Sequence, residues 1–523
     1  MKSIVYSYFF TIVLISLLSA CSPTGYKAPA DDANPIQSTL GEISIDISCT
    51  AEATAKFQEG LLFLHSFQFD DAAEKFAEAQ NIDKNCAMAY WGQAMSENHP
   101  LWREQDKTEA IEILERLGED QAQQRSKFQT EFEKDMFDAI CVLYGDGTKK
   151  ENDKAYAEYM KGLHEKYPDN HEIQAFYALS LLGSVEDGRD ETLYGKGAKI
   201  AQSIIAENPN HPGALHYLIH SYDDPNNAHK ALDAANRYSK VAPDAAHALH
   251  MPSHIYVAMG MWDDVIKSNT AAVTASIERR DRKKLEIKAI DFHSLKWKMY
   301  GYLQKGDYDQ ARILVKQMQN YCEQEHSPKA ISHTVMMKGA YLAESEKWDD
   351  KIMEDDLDYE DLPIQVFGTQ SYILGSRAFA NDQIDELKKI IDAMNPEIAE
   401  ARKKALAEGS SMCSGSYGRG RPTETHVQRT EVTQLQLMAM VAMAKNDEQK
   451  VEALLLEAIE KEEATAYMYG PPEIVKPSHE MYAEWLQKNN RIDEALTYYN
   501  KVLVRAPERF IPKMAIEKLE ATE

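Results

Sequence analysis

Residues 53–79, ATAKFQEGLLFLHSFQFDDAAEKFAEA, determine the expected fold of this chain. Their apolar side chains recur every three or four residues, a spacing that predicts two amphipathic helices joined by a tight turn. The small residues Gly60, Ala72 and Ala79 fall where paired helices must approach each other closely. This stretch therefore predicts a helical hairpin, and such a unit needs stacked neighbours to bury its apolar face.

Copies of the pattern recur later in the chain. One copy contains Gly260 and Trp262, another contains Gly306 and Tyr308, and Asn490 stands where a further copy would have its turn glycine. Alternating β-branched runs flanked by hairpin turns do not occur in the sequence, so strands are not expected. The repeats predict roughly nine to eleven hairpins of about 34 to 45 residues each.

The spacing within these copies resembles the tetratricopeptide repeat, and the chain as a whole resembles bacterial tetratricopeptide-repeat lipoproteins. The runs at 87–92, 214–220 and 247–262 carry the resemblance together with the hairpins. It implies an all-α fold, a right-handed α-solenoid of tetratricopeptide-like helical hairpins. It also implies a scaffold whose concave groove binds an extended peptide or a partner helix.

The N-terminus has the pattern of a targeting signal. Residues 4–18 are almost continuously apolar and are too few to span a bilayer comfortably, so residues 1–20 are expected to be a signal peptide. The sequence Leu18-Ser19-Ala20-Cys21 resembles the bacterial lipobox, which implies lipidation at Cys21. The alternative is an ordinary cleaved signal followed by an unrelated cysteine.

Residues 21–48 include a stretch rich in Pro, Ala, Asp and Ser, which is typical of a flexible tether. The resemblance then places the protein in the bacterial cell envelope, on the outer membrane facing the periplasm, with the lipid as its membrane contact. Further along, we expect a tetratricopeptide-like array with the histidine cluster over 49–350. Irregular acidic and Gly/Ser-rich segments with helices over 351–425 would connect it to C-terminal helices over 426–523.

Composition restricts the class of partner. The 523 residues are 44% hydrophobic and 27% charged, and 58 basic against 84 acidic side chains leave a net charge of −26. Affinity for phosphate depends on clustered cations, so a nucleic-acid partner is not expected. Protein or peptide partners are expected instead.

Outside the cytoplasm thiols can oxidise, and Cys49 and Cys86 lie 37 residues apart, about one repeat. They are therefore candidates for a disulfide between neighbouring hairpins. The alternative is that both are small buried apolar residues.

Histidines are concentrated in the middle of the chain, with seven of the 16 between residues 211 and 254. The pairs His216 with His220 and His250 with His254 are spaced i and i+4, so on a helix each pair shares one face. Counting in the tetratricopeptide frame places His220, His250, His254 and His293 on the groove, whereas His216 takes a packing position. Pro252 complicates this, since proline inside a helix bends the axis.

Three interpretations of this cluster stay open. It can bind a transition metal such as zinc or copper, because imidazole suits these ions. It can be a polar ligand groove, or its histidines can be satisfied packing residues. Neither pair is a zincin motif, because Tyr217 and Met251 follow the first histidines where that motif requires glutamate.

The main functional hypothesis is thus an envelope-anchored scaffold with a histidine-lined metal site. A metal-dependent enzyme or metal carrier is the alternative, with Asp291 and Glu286 as the nearest candidate bases. A purely structural envelope protein is the third possibility. Further candidates for groove contacts are Trp91, Asn98, His99, His479 and Glu480.

Overall fold

A computed structural model describes residues 39–185, 188–355, 357–405, 422–465 and 469–521. These residues belong to one compact unit built almost entirely from helices. The expected all-α solenoid of tetratricopeptide-like hairpins is confirmed. Within these ranges, none of the helices combines the length and apolar character that a membrane span requires.

Among the described residues up to 207, the array contains nine helices and one short two-stranded ribbon. The helices are Ala51–His65 (α1), Phe69–Ile82 (α2), Ala87–Met95 (α3), Lys107–Glu115 (α4), Gln121–Arg125 (α5), Glu131–Leu143 (α6), Lys149–Lys166 (α7), His171–Gly183 (α8) and Glu191–Glu207 (α9). The strands Asn98–His99 (β1) and Glu104–Gln105 (β2) pair antiparallel between α3 and α4.

The remaining helices continue the same alternation. They are Pro212–Ser221 (α10), Leu232–Val241 (α11), Ala246–His250 (α12), Pro252–Ala258 (α13), Trp262–Lys283 (α14), Phe292–Leu303 (α15), Tyr308–Gln324 (α16), Pro328–Ser345 (α17), Ile364–Ala380 (α18), Ile384–Ala405 (α19), Glu424–Ala444 (α20), Glu448–Ala464 (α21), Ser478–Lys488 (α22), Ile492–Arg505 (α23) and Phe510–Glu520 (α24). Short 3-10 turns lie at Ala228–Lys230, Ile287–Ala289 and Lys351–Met353.

Among the described residues, six hairpins close with a turn residue that adopts the left-handed backbone conformation. The positions are Phe67, Gly260, Gly306, Asp382, Asn446 and Asn490, with φ between 53° and 70°. In each turn the next backbone N–H donates to a carbonyl of the preceding helix, for example Met261 to Tyr256 at 2.8 Å and Arg491 to Leu486 at 3.0 Å. Glycine and asparagine tolerate this conformation, so the expected turn roles of Gly260, Gly306 and Asn490 follow from backbone sterics.

Close packing of the first hairpins depends on the absence of side chains at two glycines. A Cβ added at Gly60 would lie 2.9 Å from the ring of Phe76, and one at Gly92 would lie 2.4 Å from it. The fully buried ring of Phe76 therefore packs directly on the backbones of α1 and α3. This contact is the structural basis for small residues in the repeat.

The segment before the first helix is partly packed. Leu40, Ile45 and Ile47 are buried, and the backbone N–H of Glu42 donates to the carbonyl of Asn210 at 2.9 Å. Residues 39–48 therefore lie against the helices, which corrects the expectation of a free tether for this portion. The signal peptide, Cys21 and residues 22–38 lie outside the described residues.

The sulfur atoms of Cys49 and Cys86 are bonded to each other. Cys49 lies two residues before α1 and Cys86 lies directly before α3, so the link connects two successive hairpins. Of the other cysteines, Cys141 and Cys322 carry free thiols, and Cys413 lies outside the described residues.

A buried ionic network attaches the C-terminal helices to the central ones. The Arg509 guanidinium donates to Glu480 from Nε at 2.5 Å and to the Tyr300 hydroxyl at 2.8 Å, and it lies 2.7 Å from Glu344. Lys476 adds a second cation 3.1 Å from Glu480. The network brings together side chains from α15, α17 and α22.

The expected division into 49–350, 351–425 and 426–523 stays a prediction. Most of the expected hinge at 408–425 lies outside the described residues. Where the structure describes 351–425, α18 and α19 form a hairpin that packs against α20.

Candidate metal centre

Six histidine side chains from four helices meet in the middle of the solenoid. Helix α10 contributes His216 and His220, α12 contributes His247 and His250, α13 contributes His254 and α15 contributes His293. They form two groups of three, which we call the first triad (His216, His220, His247) and the second triad (His250, His254, His293). Within each triad the three candidate ligand nitrogens lie within 4.8 Å of one another.

Local helix geometry explains why the sequence pairs converge. His216 and His220 lie one turn apart on α10, and their Nε2 atoms are 3.1 Å apart. Met251 keeps right-handed helical angles, with φ −51° and ψ −37°, so Pro252 begins α13 without turning the chain away. His250 and His254 therefore keep a common face across this junction, and their Nε2 atoms are 3.2 Å apart.

Hydrogen bonds of Nδ1 in His216 and His254 indicate which nitrogen of each ring carries a proton. Nδ1 of His216 donates to the carbonyl oxygen of His65 at 2.7 Å, because a carbonyl can only accept. Nδ1 of His254 donates to the carboxylate of Asp223 at 2.5 Å. When Nδ1 of a neutral imidazole carries the proton, Nε2 presents a lone pair.

The second triad has the clearer arrangement. Nδ1 of His250 lies 2.6 Å from the amide oxygen of Asn269, and that amide is oriented by its own N–H bond to the Val265 carbonyl. His250 therefore donates from Nδ1, as His254 does, which makes Nε2 the lone-pair nitrogen of each ring in its neutral form. His293 adds a third ring, and its buried Nδ1 makes no hydrogen bond with the described residues.

Burial lowers the pKa of five of the six rings. It lowers the pKa of His250 to about 4, and the neighbouring His254 adds to the effect. Burial also lowers the pKa of His216, His220, His247 and His293 well below the usual value, with the mutual repulsion of the histidines as the next cause. Neutral imidazole is the form that binds metals, so protons do not compete for these nitrogens near neutral pH.

The spacing of the paired nitrogens matches shared coordination of an ion. Two imidazole nitrogens that are each about 2.0–2.1 Å from a tetrahedral zinc ion lie about 3.3 Å apart. The observed separations are 3.1 Å in the first triad and 3.2 Å in the second. Each ring is also held from its other nitrogen or by packing, which is how proteins orient metal-binding histidines.

Aromatic side chains enclose the two triads. Phe67 lies edge-on to His216 with centroids 4.3 Å apart, and it stacks on His247 at 5.7 Å. On the other side Trp297 contacts His254 at 4.5 Å and His250 at 4.9 Å. Phe67 holds a left-handed turn conformation that is unusual for a bulky residue, and this places its ring under the first triad.

A third buried group has a different chemistry. His65 Nε2 lies 2.7 Å from Glu172, and His211 Nε2 lies 3.3 Å from the same carboxylate. Nδ1 of His211 accepts from the backbone N–H of Ala214 at 3.1 Å, so its Nε2 carries the proton. Burial would raise the pKa of Glu172, but the two histidines outweigh it and lower that pKa. This group is a buried polar cluster that connects the end of α1 with α8 and with the residue before α10.

The structure brings together all five histidines predicted for the metal site. They are His216, His220, His250, His254 and His293. His216 was expected at a packing position, yet it faces the same centre as His220. Sequence reasoning missed His247, although it lies three residues before His250 in the histidine-rich stretch. It also missed Asp223, which hydrogen-bonds His254.

The candidate bases take other roles. Asp291 begins α15, where its side chain accepts from the backbone N–H of Ser294 at 2.9 Å. Glu286 is exposed and pairs with Lys288. Among the described residues, Asp223 is the carboxylate that hydrogen-bonds one of the six rings, and it does so at Nδ1 of His254.

Two expected groove residues lie in the core instead. Trp91 is 1% exposed, and its Nε1 donates to the Met136 carbonyl at 3.0 Å, so it packs between helices. Glu480 is fully buried and is paired with Arg509 and Lys476, so it stabilises the fold. The position of a residue within one repeat does not indicate which distant elements of the chain cover its side chain.

The other three groove candidates also have protein partners. Asn98 belongs to a strand instead of a helix end and accepts from Lys149 Nζ at 3.0 Å. His99 stacks on Phe69 with centroids 4.1 Å apart. His479 lies 2.8 Å from Glu463.

Part of the inner surface is covered by a segment of the same chain. Residues 469–477 are not helical, and most of them are buried. Glu473 lies 3.5 Å from Lys296, and the Tyr469 hydroxyl lies 3.4 Å from that of Tyr194. A Cβ on Gly470 would lie 2.1 Å from the Trp297 ring, so this segment packs tightly behind the second triad.

Neither the family models nor the curated proteins provide a match to this sequence. Among solved structures, the chain is similar to yeast Tom70 at 13% identity, with 90% of this chain and 95% of that chain covered and a TM-score of 0.33. It is similar to a human IFIT1 dimer with m7Gppp-AAAA at 14% identity, 92% and 96% coverage and a TM-score of 0.37. The TPR domain of P58(IPK) gives 12% identity, 90% and 98% coverage and a TM-score of 0.22. Similarities at this level say nothing about function.

Proposed function

We propose that this protein binds two transition-metal ions at the centre of its solenoid, one at each triad. The observation that carries the proposal is the pair of His250 and His254. Their Nδ1 atoms both donate to oxygen acceptors, and in the neutral rings the Nε2 lone pairs would face each other at 3.2 Å in a buried site. A shared cation turns this repulsive arrangement into an attractive one.

The ligand type restricts the ion. All six candidate ligands are imidazoles, whose neutral form suits zinc, copper, iron and nickel. Magnesium, calcium and manganese prefer oxygen ligands, and the contacting carboxylate of Asp223 is engaged with His254. Zinc and copper are therefore the ions that we expect.

Elemental mass spectrometry of the full chain, purified without a histidine tag, tests the proposal. We expect about two equivalents of bound metal per chain. Substitution of His216 and His220 by glutamine is expected to remove one equivalent, and substitution of His250 and His254 is expected to remove the other. The exposed His229 provides a matched control, and His229→Gln is expected to retain both ions.

Retention of two ions in both double variants would contradict the assignment. So would failure to take up zinc, copper or nickel after reconstitution of a chain that is folded by circular dichroism. A thermal unfolding curve of each metal-free variant separates loss of ligands from loss of fold. Glutamine keeps a polar side chain of similar length, which limits the packing defect.

We also propose that the array acts as a scaffold for protein or peptide partners. Tetratricopeptide-like hairpins and an inner surface that already accommodates the non-helical segment 469–477 support this role. A photo-crosslinking residue placed at His479 is expected to give a discrete partner adduct. The same residue at the exposed Glu457 is the control, and identical products at both positions would contradict a partner site on the inner surface.

We propose as well that the chain is a bacterial lipoprotein of the outer membrane facing the periplasm. The apolar run 4–18 and the lipobox-like sequence ending at Cys21 support this assignment. Mass spectrometry of the N-terminal peptide is expected to show a diacylglyceryl group on Cys21, and Cys21→Ser is expected to release the chain from the membrane fraction. An unmodified Cys21 peptide would contradict it.

A further inference from the structure

The two triads are adjacent parts of one centre. The rings of His220 and His254, which belong to different triads, have centroids 5.6 Å apart. The rings of His247 and His250 are 6.0 Å apart and lie on the same short helix, α12. Ions bound by such closely spaced ligands would share one pocket and could both contact one small bridging molecule.

Charge balance favours copper in its reduced state. The six imidazoles contribute no charge, and Asp223 contributes one negative charge next to the second triad. Two divalent ions would place four positive charges in this buried pocket, whereas two Cu(I) ions would place two. Because burying uncompensated charge is costly, the neutral ligand set suits the monovalent ion.

Aromatic side chains border both triads. Phe67 lies against the first triad, Trp297 lies against the second, and Trp102 contacts His247 with centroids 6.0 Å apart. These aromatic surfaces offer few hydrogen-bonding groups to a ligand. A ligand shared by the two ions would therefore be small and would form few hydrogen bonds with the protein.

We infer that the two triads form a binuclear copper centre that binds dioxygen between its ions. The inference rests on the proposed function, because it requires both triads to hold metal. Each Cu(I) ion loses one electron and becomes Cu(II), and dioxygen gains both electrons and bridges the ions as peroxide. No proton is consumed, and release of dioxygen returns one electron to each ion.

The test uses the full chain loaded anaerobically with two equivalents of Cu(I). Such a sample is colourless, and exposure to dioxygen is expected to produce a peroxide-to-copper charge-transfer band in the near ultraviolet. The two Cu(II) ions are expected to couple, so that the oxygenated sample gives no electron paramagnetic resonance signal. A resonance Raman band that shifts with the heavy oxygen isotope identifies the bound peroxide.

Variants limited to one triad provide the comparison. His250→Gln and His220→Gln are each expected to lose the charge-transfer band, and oxidised samples of each are expected to show the signal of isolated Cu(II). His220 is partly exposed, so its variant covers the case in which the buried His250 variant fails to fold. The control His229→Gln is expected to keep the band at full intensity.

The outcomes distinguish failure of the dioxygen site from failure of metal binding. Two bound copper ions without an oxygen-dependent band would overturn the binuclear dioxygen site and leave the metal sites intact. Two uncoupled Cu(II) signals would overturn it in the same way. Failure to bind copper would overturn both this inference and its copper assignment, and zinc uptake measured in parallel would show whether metal binding as such survives.

Discussion

Nδ1 of His216 donates to the backbone carbonyl of His65, 2.7 Å away and 151 residues earlier in the chain. His65 is the last residue of α1, where helix carbonyls lack partners within the helix. The last carbonyl of α1 thus has a hydrogen-bond partner, and the same hydrogen bond orients a ring of the first triad. The candidate centre consequently depends on how the solenoid brings α1 beside α10.

Asp223 is expected to tune metal affinity through His254. Asp223→Asn removes the negative acceptor from Nδ1 and should weaken binding at the second triad about 10- to 100-fold, as loss of such supporting contacts typically does. Competitive titration with a chromophoric chelator measures the change. The exposed Asp233 supplies the control, and equal affinities for Asp223→Asn and Asp233→Asn would show that Asp223 has no supporting role.

Stability of the metal-free chain should fall on mild acidification. Burial lowers the pKa of His250 to about 4, so between about pH 6.5 and 4 the unfolded chain binds a proton that the folded chain does not. Stability therefore rises with pH in this window, by roughly 1.4 kcal/mol per pH unit for each such histidine.

Urea unfolding of the metal-free chain at pH 6.5 and pH 5 checks this dependence. A decrease of about 1.6 kcal/mol is expected from one fully shifted histidine over this interval, because the unfolded histidine is already half protonated at pH 6.5. His250→Gln should show a shallower dependence than wild type. A free energy of unfolding that is constant between these pH values would contradict the neutral, buried state of the rings.

The link between Cys49 and Cys86 should stabilise the first hairpins. It closes a loop of 37 residues, for which disulfides typically contribute about 2–4 kcal/mol. Replacement of both cysteines by alanine should lower the free energy of unfolding by that amount, and a reducing agent should affect wild type only. Cys141→Ala serves as the control, and an unchanged stability of the double variant under oxidising conditions would refute the contribution.

The ionic network at Arg509 should be sensitive to loss of one member. Burial would raise the pKa of Glu480, but Arg509 and Lys476 outweigh it and lower that pKa to about 2. Glu480→Ala leaves buried cations without their anion and should cost about 3–5 kcal/mol. Glu457→Ala on an exposed face should change stability by less than about 0.5 kcal/mol. Chemical denaturation distinguishes these values, and similar effects of both variants would contradict the network.

Much of the fold could be predicted from local pattern. Apolar spacing in 53–79 predicts α1 and α2. Gly260 and Gly306 predict turns, and both adopt a positive φ in the structure. Phe67 occupies the same turn position although it is not a glycine, and its ring packs against His216. Backbone strain that serves a site leaves no such mark in the sequence.

The candidate centre could be predicted only in part. Helical spacing pairs His250 with His254, but the approach of His220 to His254 depends on the rotation between successive hairpins. The burial of Trp91 and Glu480 likewise depends on elements far away in sequence. One repeat determines the direction of a side chain, whereas the whole array determines what covers it.

Anomalous diffraction from crystals of the full chain, recorded at the absorption edge of the bound metal, tests the central claim most directly. The account predicts two peaks, one within coordination distance of His216, His220 and His247 and the other within that distance of His250, His254 and His293. A metal-replete crystal with a single peak at one triad, or with peaks away from all six rings, would contradict it.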